Sequence, residues 1–100
     1  MAKNPEQVAF LEAKDDCIEN LDTIRFELDR CINSGMLDME SQLYNMIVSL
    51  SDEASIIKTW DELEELTSRA KTIEQDVAAW LSYHGLNTVS LTWPRRKPIS

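Results

Sequence analysis

Glycine and proline are scarce in this sequence, with two and three residues in 100, and histidine occurs once. The five Gly and Pro residues sit at positions 5, 35, 85, 94 and 98. Residues 6–34 and 36–84 therefore hold neither strong helix breaker, which predicts a mostly helical chain. Long apolar runs are also missing. The longest is the five residues from Val77 to Leu81, against the roughly 20 needed to cross a bilayer. The opening Met-Ala-Lys-Asn-Pro-Glu-Gln lacks the apolar stretch of a secretory signal, so the expected location is cytoplasmic and no membrane partner is expected.

The shortage of histidine narrows the chemistry. Nucleophilic triads and most acid-base schemes lean on an imidazole, and here only His84 is present, in the turn before Gly85. There it suits the negative end of a helix better than a reaction. A carboxylate-bridged metal pair in a bundle wants Glu-x-x-His, but Leu81 stands three residues before His84. Two thiols with one histidine do not make a zinc site, no glycine-rich loop cradles phosphate, and the acidic runs lack the glycine of a calcium loop. No catalytic residue, cofactor or metal is expected.

What the sequence does have is acid and a core. Eighteen acidic and ten basic side chains leave a charge of −8, which disfavours nucleic acid and anionic lipid as partners. An apolar share of 43% with 28% charged residues fits one packed domain at the small end of what folds alone. Cys17 and Cys31 lie 14 residues apart. On one helix that separation is about 21 Å, too far for a disulfide, so two buried free thiols are expected.

Asn4-Pro5-Glu6-Gln7 reads as a helix start, with Asn4 as cap, Pro5 in first position and Gln7 completing a capping box. Gly35 reads as the stop, with Met36 folding back onto Cys31, and Gly85 repeats the pattern with Leu86 reaching back to Leu81. The first helix, over about 5–33, carries an apolar stripe through Phe10, Leu11, Cys17, Leu21, Ile24 and Leu28. Its opposite face bears Glu12, Asp15, Asp16, Glu19, Asp22 and Asp29, and Phe26 projects among these acids as a candidate contact with another chain.

Between 36 and 84 two apolar registers fail to join. One runs Met36, Met39, Leu43, Met46, Leu50, Ile57, Trp60, and the other starts at Leu63. Ser51-Asp52-Glu53 and the capping box Thr59-Trp60-Asp61-Glu62 offer break points. A break between 51 and 59 gives an all-α, three-helix up-down bundle; the alternative is a long helical hairpin that dimerises to cover its overhang. Tyr44 and Val48 lie off the stripe of their helix, which points to a central position or a subunit interface. Trp60 and Trp80 fall on their stripes as core residues.

Residues 1–86 form the helical domain of this reading, and 87–100 an extended segment with a basic, Pro-containing tail. In the segment Val89, Leu91 and Trp93 alternate with polar residues at the two-residue spacing of a strand. It either docks on its own bundle or pairs with a partner, and Trp93 is the candidate anchor. Arg95 and Arg96, with Lys97, follow a stretch that carries seven basic and eighteen acidic side chains, and they are candidates for partner recognition. Helical-hairpin proteins of the WXG type share the length and a glycine near the turn, but Asn33-Ser34 precede Gly35 here and no Trp-x-Gly occurs, so no residue role is carried over.

The sequence therefore points to a non-catalytic helical interaction module that offers apolar faces and an acidic surface to another protein or to a second copy of itself. The alternative is an acidic chaperone or nucleic-acid mimic holding a basic client.

Overall fold

The computed structural model describes residues 5–35, 37, 42–88 and 91–94. It consists of α1 (Pro5–Asn33), α2 (Gln42–Ile56) and α3 (Trp60–Tyr83), with no strand among the described residues. Phe10 meets Trp60 edge-on at 5.7 Å and Cys17 meets Thr67 further along, so α1 and α3 run in the same direction. The Lys14 ammonium of α1 donates to the Ser55 and Ile57 carbonyls at the far end of α2, both at 3.2 Å. That contact makes α2 antiparallel to both neighbours and gives its unsatisfied terminal carbonyls a cation. The architecture is the expected up-down three-helix bundle.

The break falls where the capping box stands. Thr59 is extended, its hydroxyl accepts from the Glu62 amide at 3.2 Å and donates to the Glu62 carboxylate at 3.0 Å, and that carboxylate also accepts from the Lys58 amide. Two free amides at the start of α3 are satisfied this way, so a new helix begins and the continuous hairpin helix does not form. Gly85 ends α3 with φ +72°, its amide donating to Ser82 and the Leu86 amide to Leu81. Those are the two bonds of a Schellman ending. At Gly35, φ +81°, the glycine amide reaches Ile32, while the Cys31 carbonyl accepts from Leu37. The expected role of Met36 and the cap at Asn4 fall on residues outside those described.

The core is one cluster built from Phe10, Cys17, Leu21, Ile24 and Leu28 of α1, Ile47, Leu50 and Ala54 of α2, and Leu63, Leu66, Ala70, Ile73 and Val77 of α3. Two registers need correction. Leu11 is exposed rather than buried, and Ala13 takes the inward place. In α2 the buried line runs through Ile47 instead of Met46, which is 37% exposed. The shift by one residue puts Tyr44, three before Ile47, on the core side, so the expectation that it lies off the stripe does not hold. Trp60 and Trp80 are half-buried against the core. Both thiols are free and buried. Burial pushes the Cys17 thiol above its usual pKa, with the Thr67 hydroxyl pulling the other way, and burial likewise raises Cys31.

Candidate interaction surface

A three-helix bundle has three outer grooves, and this chain treats them differently. Along the groove between α1 and α3 runs its own C-terminal segment. The Asn20 side-chain amide donates to the Thr92 carbonyl at 2.8 Å, and the Trp93 indole donates to the Glu74 carboxylate at 2.7 Å. Trp93 is only 6% exposed and belongs to the core cluster, with Leu91 packed against it and Thr92 exposed. The two-residue alternation thus orients an extended strap without a sheet. This corrects the expectation for Trp93: its ring and its N–H are engaged inside the chain and are not offered to a partner. Leu91 is half-buried and packs against the same core cluster. Val89, Arg95 and Arg96 lie outside the described residues.

The groove between α1 and α2 is closed by polar contacts. Lys14 binds the end of α2, and Tyr44 faces the Arg25 guanidinium, whose pKa is raised chiefly by that neighbour and further by Asp29 and Asp22. Tyr44 is half-buried against the core, and Val48 is half-buried without belonging to it. Phe26 is different. At 63% exposed it stands on the outer side of α1 with Asp22 and Asp29 one turn away, as its spacing implied.

The third groove, between α2 and α3, is open. It holds two hollows of about 430 and 250 Å³ that meet at Arg69. Met46, Leu50 and Ile73 line the first, and Ile56, Ile57 and Leu66 the second. Gln42, Asn45 and Ser49 edge the upper hollow, while Glu53, Glu62 and Glu65 edge the lower. A single bridge spans the groove, Arg69 to Glu53 at 2.9 Å, with both side chains about half exposed. Exposed pairs of this kind contribute little and open readily. Ile56, 71% exposed at the end of α2, is the most exposed aliphatic side chain of the described helices.

Ile56 was not among the residues singled out from the sequence, and Met46 was placed on the buried stripe rather than at a surface. Ile56 stands beside Ile57 in an apolar pair, and periodicity assigns one of the two inward without saying that the other borders a groove. No group of three His, Cys, Asp or Glu side chains that could hold a metal ion occurs among the described residues, and no helix described is long and apolar enough to cross a membrane. Compared with known proteins, the chain shows no significant match to a family model, a curated sequence or a solved structure.

Proposed function

We propose that this protein is a non-catalytic helical interaction module that presents the open face between α2 and α3 to another protein. The observation that carries the reading is Ile56, an aliphatic side chain 71% exposed at the mouth of an apolar hollow floored by Ile57 and Leu66. A small bundle that lays its own strap over part of one outer groove and leaves a second uncovered, apolar at its floor and polar at its rim, offers a partner that second face. The test is parallel affinity capture from source-cell extract on immobilised wild type, Ile56→Asp and Phe26→Asp, with bound proteins quantified by mass spectrometry. At least one protein should be recovered several-fold less on Ile56→Asp than on the other two. If recovery is equal on all three, the reading fails. Light scattering of the purified chain separates the case in which the partner is a second copy.

A second reading, an acidic chaperone or nucleic-acid mimic, draws on the exposed carboxylates of Glu12, Asp15, Asp16, Glu19 and Asp22 along α1. Aligned acids speed encounter with a cationic client. Here a charge reversal on α1 such as Asp22→Lys, not Ile56→Asp, would reduce capture, and the complex would dissociate steeply with salt.

A further inference from the structure

The groove between α2 and α3 also specifies what kind of segment fits it, given the reading above that this face is the binding site. From Met46 to Ile56 the groove extends ten residues along α2, about 15 Å, or about three helical turns, with apolar side chains at its two ends and along its floor and Ser49 and Glu53 on the margin between them. The lower hollow is edged by three carboxylates, Glu53, Glu62 and Glu65, against the single cation Arg69. Arg69 is engaged by Glu53, and one Glu62 oxygen is engaged by the cap of α3. Glu65 is exposed. This half of the groove therefore offers mostly acceptors. The two helices that form the groove present no unpaired backbone edge along which an extended segment could pair, whereas a helix satisfies its own backbone, sets only side chains into the groove and adds a fourth helix to the bundle. A second copy of the chain fits poorly, because each molecule carries a charge of −8 and the face it would offer is edged by three carboxylates against one arginine.

We infer that the occupant is a basic amphipathic helix, with apolar residues at i, i+4 and i+7 seated between Met46 and Ile56 and its lysines or arginines over Glu62 and Glu65. Its encounter is steered by the acidic rim, and its residence depends on the apolar floor.

The experiment uses the full-length chain and two synthetic peptides of about 15 residues, long enough to be helical when bound. They share one amphipathic leucine pattern, the first with lysine and the second with glutamate at every polar position. Amide shifts of isotope-labelled protein report the site and calorimetry the affinity. The lysine peptide should shift Leu50, Ile57, Leu66 and Arg69, while the glutamate peptide should not bind. Ile56→Asp makes the surface more acidic, so diffuse attraction to the lysine peptide would strengthen, whereas seating on the apolar floor should weaken at least tenfold, about 1.4 kcal/mol. Glu65→Lys, on an exposed position, should weaken it several-fold without touching the floor. Shifts confined to the acidic side of α1, unchanged or tighter binding to Ile56→Asp, or equal binding of the glutamate peptide would each overturn the inference. If capture still returns an Ile56-dependent protein while the lysine peptide leaves the groove untouched, the interaction module stands and the basic-helix partner falls.

Discussion

Trp93 lies outside every helix, yet it should be among the most sensitive positions in the chain. Its side chain is buried to 6% exposure and bonds Glu74 at 2.7 Å. Burying an indole removes about 150–250 Å² from water, which at about 25 cal/mol per Å² is about 4–6 kcal/mol. Trp93→Ala does not lose all of that. The strap lies at the margin of the core, so it can relax when the indole is gone, and the conformational freedom it regains offsets part of the loss. A net loss of about 3 kcal/mol, at the low end for a buried tryptophan, is expected. In a domain of this size that lowers Tm by about 12–24 °C. Trp93→Phe keeps most of the apolar area and loses the N–H donor to a carboxylate, and should cost about 1.5 kcal/mol. Circular dichroism at 222 nm during thermal and urea unfolding reads both variants. The starting helical signal should match wild type, since Trp93 belongs to no helix. A Trp93→Ala protein within about 0.5 kcal/mol of wild type would refute the claim that the strap is part of the core. Equal losses for the two variants would mean that the hydrogen bond, rather than burial, holds the segment.

Other substitutions separate the remaining contributions. Thr59→Ala removes both cap bonds to Glu62 and should cost about 1 kcal/mol in urea unfolding without shifting the helical signal of the folded state. Ser51 carries a buried hydroxyl with no hydrogen-bond partner among the described residues, so Ser51→Ala should be neutral or stabilising by up to about 1 kcal/mol, the reverse of the usual effect of truncation in a core. The thiols predict a pH dependence. Burial raises both above the ordinary value, so the folded chain holds protons that the unfolded chain releases, and stability should fall as pH rises through about 8.5. Urea midpoints between pH 7 and 10 measure this. The slope should flatten in Cys17→Ala, and a midpoint rising with pH across that range would contradict the assignment.

Much of this fold could be read in the sequence because its ends are chemically marked. Thr59 and Glu62 announce a helix start three residues apart, and Gly35 and Gly85 take the positive φ that stops α1 and α3. These signals are local, so no knowledge of the partner helices was needed. The register of α2 is not local. Leu43, Tyr44, Met46, Ile47, Val48 and Leu50 form two nearly equivalent stripes a residue apart, and only the positions of α1 and α3 decide that Ile47 goes inward and Met46 to the groove. For the same reason the candidate surface was largely hidden. A groove is made by two helices, and neither Ile56 on α2 nor Leu66 on α3 carries a mark in the sequence that the other will stand across from it. Phe26 was legible because a lone aromatic among acids on a polar face has nowhere to go but outward. For Trp93 two readings stayed open, because an alternating segment can add to a partner's sheet as well as to its own bundle, and the choice rests on Asn20, 72 residues from Thr92, and on Glu74, 19 residues from Trp93.

The strap also sets a scale for what the open groove requires. Four described residues, Leu91–Pro94, stay seated between α1 and α3 because they are tethered. The linker from His84 holds them near the groove at an effective concentration on the order of millimolar, so few contacts are needed to keep the segment seated. A ligand arriving from solution has no such tether and must offset about 4–15 kcal/mol of lost translational and rotational freedom in addition to its own ordering. Four residues with one indole would not hold in the groove between α2 and α3. About three turns of helix, with several apolar anchors along the 15 Å margin and cations over Glu62 and Glu65, is the scale at which binding becomes appreciable. Shortening the lysine peptide should therefore abolish binding abruptly once it no longer reaches both Met46 and Ile56. A gradual decline in proportion to its charge would place the binding in the field of the carboxylates rather than on the apolar floor.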